Sequence, residues 1–286
     1  MTNRNNLNAS MEAYKIIPYE QLTLCNDYIF SKAMQNPELC KHLLEIILDI
    51  KIRKIKYPET QKDINQKYDA KSIRLDVYVE DDEDTVYDVE MQVSNPGNLP
   101  KRSRYYQSMI DINLINKGKK YRLLNKSFVI FICKSDIFRK NRHIYTFENL
   151  CVQDPSIRLG DETVKIFLNP RSTMDDVSED LHNFLNYLVD GIVKDEYTSQ
   201  LEKEVEEVRH NEEWRMDYMT LEMKFKEKLK EGIAIGEKIG IEEGLAQGMA
   251  QGELVGQELI IERVKELQAQ GLLTMTEEAA EILLKE

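Results

Sequence analysis

Cysteine is scarce in this sequence, and its distribution excludes two kinds of structural site. Among 286 residues there are four, at Cys25, Cys40, Cys133 and Cys151, and no two of them form a close pair. Zinc sites need closely spaced ligands and disulfide-rich domains need a denser framework, so neither class fits. Isolated thiols are typical of a reducing compartment, and we expect a cytoplasmic protein.

Long apolar runs and several common catalytic motifs are missing as well. No run of about 18 apolar residues is available for a membrane-spanning helix, and the polar start MTNRNNLNAS has no apolar signal region. We therefore expect a protein that neither enters a membrane nor is secreted. The four histidines stand in no Ser/His or Cys/His arrangement, and no glycine-rich phosphate loop occurs.

The chain as a whole lacks positive charge, but one segment does not. The net charge is −12, yet residues 1–170 hold 26 basic and 23 acidic side chains, against 13 and 28 in residues 171–286. Residues 101–142 hold 12 basic and two acidic side chains. Neutralisation of phosphates dominates affinity for nucleic acids, so this segment indicates a DNA-binding surface. A solvated helix face followed by a basic loop is the simpler interpretation of these charges alone.

Two segments joined by an acidic turn alternate like β-strands. Apolar and polar residues alternate over Ile73–Glu80 and again over Tyr87–Val93, which predicts a hairpin with one apolar and one polar face. Folding the hairpin about Glu83 places Asp76 opposite Glu90, and directly opposed residues lie about 5 Å apart at Cβ. Two such carboxylates repel each other unless a cation or a proton lies between them. Carboxylate oxygens suit Mg²⁺ or Mn²⁺.

These acidic residues also have an ordinary structural interpretation. Carboxylates are common on the solvated face of a hairpin, and residues 80–84 have the composition of a solvated turn. Gln92 lies two residues beyond Glu90 and therefore projects into the same space. The spacing suggests a metal site but does not by itself require one.

Five blocks of sequence, in order along the chain, are similar to a known family. They resemble the PD-(D/E)XK nuclease superfamily and, within it, the recombination-promoting nuclease or putative transposase family, labelled PD-(D/E)XK nuclease family transposase. The resemblance covers roughly residues 20–195. The blocks are Asp27–Lys32 (DYIFSK), Lys71–Val77 (KSIRLDV), Asp88–Gln92 (DVEMQ), Lys101–Tyr106 (KRSRYY) and Lys117–Tyr121 (KGKKY).

The resemblance implies a metal-dependent DNA endonuclease linked to recombination or mobile elements. It implies that Asp76, Glu90 and the backbone carbonyl of Met91 bind Mg²⁺ or Mn²⁺ and that Gln92 orients the attacking water. Asp27 is carried over as a further catalytic acid, although capping of a helix explains it equally well. Gln92 departs from the usual lysine of the superfamily; it brings no charge and leaves more of the charge stabilisation to the metal.

The basic helix after the hairpin is the expected DNA contact. Arg102 is the main candidate for a contact with phosphate. Lys101 and Arg104 add positive charge, and Tyr105 and Tyr106 either contact DNA or belong to the core.

The expected fold is α/β, with a restriction-endonuclease-like mixed sheet flanked by helices and followed by a long α-helical C-terminal tail. We expect a flexible arm over residues 1–19, the nuclease-like domain over 20–195, a charged amphipathic helix over 196–231 and a helical tail over 232–286. Predicted helices are Asp27–Met34, a helix from Pro37 to Leu48, Lys101–Asn116 and Asp175–Val193, and predicted strands outside the hairpin are Lys51–Tyr57, Ser127–Cys133 and Lys165–Leu168.

Glycine recurs at every fourth residue of the tail, from Gly232 to Gly256. Each glycine inside a helix costs about 0.5–1 kcal/mol relative to alanine, so a helix here needs a compensating contact. Small residues at this spacing allow close approach of a second helix, and we expect a homo-oligomer. The alternative is a partly frayed linker that arose by repeat expansion.

Two other classes of function remain open on the sequence alone. The domain could be a catalytically inactive module that binds DNA or a protein partner, or the acidic helical tail could make the chain a regulatory adaptor. Retention of both Asp76 and Glu90 favours the enzyme.

Overall fold

The computed structural model of the protein describes residues 17–56, 59–64, 73–92, 97–115, 120–274 and 276. Residues 1–16 of the expected arm, residues 93–96, and residues 275 and 277–286 of the expected helical tail lie outside the described residues. So do Lys71, Ser72 and residues 117–119 of the family blocks. The chain divides into two units, of which the first reaches Tyr218 and the second runs from Met219 to Glu286.

A six-stranded mixed sheet forms the centre of the first unit, in the order β1-β2-β3-β4-β6-β5. β1, β2 and β3 are antiparallel neighbours, β3, β4 and β6 run parallel, and β5 pairs antiparallel with β6 at the edge. The strands are β1 (Glu59–Ile64), β2 (Ile73–Glu80), β3 (Val86–Gln92), β4 (Ser127–Cys133), β5 (Ile144–Phe147) and β6 (Thr163–Leu168).

Six α-helices accompany the strands within the described part of the chain. Most of their starts follow ordinary capping rules. The side chain of Asn36, directly before Pro37, accepts from the backbone N–H groups of Glu38 and Leu39, and the side chain of Ser178 accepts from the backbone N–H of Leu181. The helices are α1 (Asp27–Ala33), α2 (Pro37–Leu48), α3 (Leu99–Leu114), α4 (Glu179–Asp190), α5 (Glu196–His210) and α6 (Glu212–Ala269).

Helices cover both faces of the sheet, as the mixed topology requires. One face packs against α1, α2, α4 and α5 through residues such as Val77, Val89 and Ile130. The other packs against α3 through residues such as Val86 and Phe131. This is a restriction-endonuclease-like α/β fold, and it confirms the predicted fold class. Tyr19 is buried as well, and its hydroxyl donates to the carbonyl oxygen of Val208 at 2.8 Å.

Several predicted elements are corrected by the structure. Residues 51–56 form no strand and make only an isolated bridge from Ile55 to Asp81; the edge strand is β1, which has a single apolar residue in ETQKDI and so no visible alternation. β5 was not predicted. Helix α3 starts at Leu99, with Pro100 in its first turn instead of in the preceding turn. On this helix Ile110 is buried in the core, whereas Ile112 is 49% exposed.

The predicted single helix over residues 196–231 is divided at Asn211. The side chain of Asn211 accepts from the backbone N–H of Trp214, and α6 begins there. The start of α6 belongs to the first unit, where Trp214 and Tyr218 pack against the core.

The described part of the second unit is the remainder of α6 and the short segment that follows it. No residue of α6 is buried, and a methyl group added at any glycine from Gly232 to Gly256 would meet no atom within 4 Å. Because α6 runs to Ala269, the whole glycine repeat from Gly232 to Gly256 is helical. Within the described residues, no helix combines the length and the apolar character needed to cross a membrane.

Candidate functional site

The pairing of β2 with β3 brings the two predicted carboxylates together. Val77 pairs with Val89 and Tyr78 with Asp88, and the same register continued by one residue sets Asp76 against Glu90. This is the register that folding about Glu83 predicts. The geometric expectation is met, while the catalytic role of the pair stays a prediction.

The two carboxylates are held by the backbone of each other's strand. The backbone N–H of Asp76 donates to Oε1 of Glu90 at 3.0 Å, and the backbone N–H of Met91 donates to Oδ2 of Asp76 at 2.9 Å. Each side chain thus reaches across the hairpin and takes a donor of the facing strand. Glu90 is only 4% exposed, so these hydrogen bonds fix its position inside the protein.

A third carboxylate lies in the same place, and the sequence analysis gave it no role. Asp88 precedes Glu90 by two residues and is fully buried, with 0% exposure. Neither of its oxygens has a hydrogen-bond donor within the described residues, and the Glu90 carboxyl is its immediate neighbour. Alternation alone placed Asp88 on the polar face of β3, but only the packing of α3 over that face makes it buried.

Burial makes all three groups reluctant to ionise. Desolvation, with the negative charge of Glu90 adding to it, raises the pKa of Asp76 to about 8. Burial followed by repulsion from Asp76 raises the pKa of Asp88 well above its usual range, and burial followed by repulsion from Asp88 does the same for Glu90. The charge of Arg102 opposes each of these shifts.

Arg102 connects the carboxylates to α3. Its Nη1 donates to Oε1 of Gln92 at 2.6 Å, and its Nη2 donates to the hydroxyl of Tyr106 at 2.7 Å. Nη2 also lies 3.8 Å from Oε2 of Glu90. The guanidinium stands over the ring of Phe131, so packing as well as hydrogen bonding fixes it. Gln92 and Arg102, two of the predicted site residues, are therefore joined by a hydrogen bond.

Asp27 sits at the rim of this group. It is the first residue of α1 and is exposed; its Oδ1 accepts from the backbone N–H of Tyr28 at 2.9 Å. The capping residue of α1 is Asn26, directly before it, whose side chain accepts from the backbone N–H groups of Tyr28 and Ile29. The charge of Asp27 reaches Asp76, where it contributes to the raised pKa.

The remaining predicted DNA contacts separate into two groups along α3. Lys101, Arg104 and Tyr105 are exposed on the helix surface. Tyr106 is buried, packs against Phe131 and holds Arg102, so it supports the site from within the core.

The donor set fits a small, hard cation through two side chains and the backbone. Among the described residues no group of three or more His, Cys, Asp or Glu side chains has the arrangement of a metal site. The pair of Asp76 and Glu90 does supply oxygen ligands, which Mg²⁺ and Mn²⁺ prefer. The oxygens of Asp88 have no hydrogen-bond donor among the described residues, and the three carboxyl groups outnumber the single Arg102. A bound cation would favour the ionised form of these carboxyl groups.

A sheet with helices on both faces and an acidic pair on adjacent strands defines a nuclease-like domain of the PD-(D/E)XK class. The sequence model of the family described as PD-(D/E)XK nuclease family transposase matches residues 25–171. The chain belongs to that family. Nucleases of this superfamily generally use divalent metals. No curated protein and no solved structure matches the chain.

Proposed function

We propose that this protein is a metal-dependent DNA endonuclease that hydrolyses phosphodiester bonds and acts in recombination or on mobile elements. The observation that carries the proposal is the pair of Asp76 and Glu90, which face each other across the hairpin and are held by reciprocal backbone hydrogen bonds. Glu90 is buried and Asp76 is partly buried. Two such carboxylates repel each other unless a cation or a proton lies between them, and a cation is the occupant that we propose. Membership of a nuclease family supports the same chemistry.

The residues that would hold Mg²⁺ or Mn²⁺ are Asp76, Glu90 and the backbone carbonyl of Met91. When bound, the ion supplies a Lewis acid for the phosphate and lowers the pKa of the attacking water. The carboxylates fix its position because both are anchored to the sheet.

Gln92 and Arg102 act together in place of a single lysine. Arg102 donates to the carbonyl oxygen of Gln92, which sets the orientation of the amide. Gln92 orients the attacking water, and Arg102 brings to the site the positive charge that Gln92 lacks. Placed 3.8 Å from Glu90, the guanidinium also moderates the repulsion among the carboxylates.

The exposed surface of α3 would contact the DNA backbone. Lys101 and Arg104 are exposed, as is Tyr105, and they lie on the helix that also carries Arg102. Phosphate neutralisation by such residues predicts that DNA binding weakens as salt rises.

Cleavage of supercoiled plasmid tests the proposal. With Mg²⁺ or Mn²⁺ supplied, we expect nicking by the parent protein and a loss of about 10³-fold or more in Asp76→Asn and Glu90→Gln. Glu83→Gln, an exposed acid in the turn of the same hairpin, serves as the matched control and should cut normally.

If both site variants cut like the parent, the assigned site is wrong. The alternative, an inactive module that binds DNA or a protein, predicts no cleavage by any variant and no uptake of divalent ions by calorimetry.

We also propose that α6 mediates self-association. Its glycine stripe has open space at every Cβ position, and large apolar side chains such as Ile239, Ile241 and Leu245 are exposed beside it. A second copy of the helix could approach closely along this stripe. Removal of residues 232–286 should lower the mass in solution, and an unchanged oligomeric state would reject the idea.

A further inference from the structure

A cavity of about 240 Å³ opens beside the candidate site, at the carboxyl ends of the parallel strands β3, β4 and β6. Met91 and Gln92 line this cavity and also belong to the candidate site. Ligands of α/β proteins commonly bind at the carboxyl ends of parallel strands. The position of the cavity therefore makes it a candidate for binding part of the substrate.

Two basic residues line the cavity. Lys134 directly follows β4, and its backbone N–H donates to the carbonyl oxygen of Gln92 at 3.1 Å. Arg171 follows β6, and its backbone N–H donates to Oδ1 of the buried Asn169 at 3.1 Å. Both side chains are exposed, and neither makes a salt bridge within the described residues. Their charges are available to an anion.

Both charges act on the same part of the cavity. Cys25 lines it too, and burial raises the pKa of this thiol while the charges of Lys134 and Arg171 oppose the rise. Both residues also line the same cavity of about 240 Å³, so an anion bound in it lies near both charges.

The rest of the lining is mostly apolar. Ile132 comes from β4, while Leu188 and Val189 come from the end of α4. An inorganic anion would gain nothing from such a lining, whereas a nucleotide presents a phosphate to the cations and the face of a base to the apolar side chains. The volume is below the ~300–1,000 Å³ typical of pockets for drug-sized ligands, so it suits one nucleotide and not a base pair.

The geometry points to a pocket for one unstacked nucleotide of the DNA strand, next to the bond that is cut. This inference rests on the proposed function and names its substrate more closely. The phosphate lies between Lys134 and Arg171, and the base contacts Ile132, Leu188 and Val189. Because a paired base cannot enter, the preferred substrate is single-stranded DNA or a duplex with an unpaired nucleotide.

Binding measurements on the full-length protein test the pocket without relying on cleavage. The probe is a fluorescent oligonucleotide of about 12 nucleotides, a length within the site sizes of single-strand binders, compared with the blunt duplex of the same sequence, both with divalent ions chelated. We expect the parent to bind the single strand about tenfold more tightly than the duplex. The double variant Lys134→Gln with Arg171→Gln should lose that preference.

The matched control removes the same charge elsewhere. Lys54 precedes β1 and is exposed; its backbone N–H donates to Oδ1 of Asp82 in the turn between β2 and β3, at the end of the hairpin away from Gln92. Lys203 is exposed on α5. The double variant Lys54→Gln with Lys203→Gln should lower the affinity for the single strand and for the duplex by the same factor, so the ratio of the two affinities should not change. In Val189→Trp, which narrows the cavity with no change of charge, the single strand alone should bind more weakly.

Equal loss of both probes in the pocket variant, or unchanged single-strand binding in Val189→Trp, would overturn the pocket. The plasmid assay separates this result from the proposed function. A pocket variant that still nicks plasmid but shows no change in single-strand preference ends the pocket and leaves the nuclease. A parent that prefers single strands through these residues, but cuts neither plasmid nor single-stranded DNA when Mg²⁺ or Mn²⁺ is supplied, retains the pocket and ends the nuclease proposal.

Discussion

The acidic hairpin and the glycine-rich helix both contain an unfavourable feature, but they differ in what compensates for it. In the hairpin, Asp88 and Glu90 are buried carboxyl groups and Asp76 beside them is partly buried. Strands, helix α3 and Arg102 surround them. In α6, seven glycines weaken a helix that has no buried residue. The enclosed feature is the basis of the cation site that we propose at the hairpin. The exposed feature is the basis of the self-association that we propose for α6.

The sharpest test of this contrast is one apolar deletion in each region. Leu201 on α5 is fully buried, so Leu201→Ala should lower the free energy of unfolding by about 2–5 kcal/mol. Leu245 on α6 is 65% exposed, and Leu245→Ala should change it by less than about 0.5 kcal/mol. Urea unfolding followed by fluorescence of the single tryptophan, Trp214, measures both. Equal losses would contradict the contrast.

The hairpin should also make stability depend on pH. Asp76 keeps its proton up to about pH 8 when folded but releases it near pH 4 when unfolded. The folded state then binds more protons, so the free energy of unfolding should fall as pH rises between about 4 and 8, by a few kcal/mol. Mg²⁺ should reduce the fall, and so should Asp76→Asn. A curve that is the same in Asp76→Asn as in the parent would refute this account of the site.

Two arginines on α3 allow a matched comparison within the first unit. Arg102→Gln removes the donor to Gln92 and the cation beside Glu90, and we expect initial rates of plasmid nicking to fall about 10–100-fold. Arg104→Gln removes an exposed charge of the same helix and should cost only a few-fold, mostly as a weaker salt dependence. Similar effects of both substitutions would make Arg102 a simple surface contact.

The smallest expected effect is the most specific for the tail. Gly240→Ala, Gly244→Ala and Gly248→Ala each stabilise an isolated helix by about 0.5–1 kcal/mol, and the added methyl groups meet no atom of the same chain. Helicity by circular dichroism should therefore rise. If the stripe packs against a second helix, self-association by light scattering should fall at the same time. A rise in both would place the contact on another face of α6.

Much of the fold could be predicted because its patterns are local. The continuous apolar run of Ser127–Cys133 gave both ends of β4, and the cap and proline at Asn36 and Pro37 gave the start of α2. β1 and β5 could not be predicted: ETQKDI has one apolar residue, and IYTF spans only four positions, so each is a strand chiefly through pairing with its neighbour.

The position of the candidate site in the hairpin could be predicted from the sequence, but the burial of its residues could not. Alternation and the place of the turn set Asp76 beside Glu90. The burial of Asp88 and the bond from Arg102 to Gln92 depend on how α3 lies over the sheet, which no local pattern specifies.

By itself, the sequence determined which side chains share a face of the hairpin, because successive residues of a strand point to opposite sides whatever surrounds them. Only the tertiary structure decided which of those faces is dry, because burial depends on the element packed against it. A carboxyl group in water has its ordinary pKa, whereas burial beneath α3 raises the pKa of Asp88 well above its usual range. That difference separates a solvated hairpin from a candidate catalytic centre.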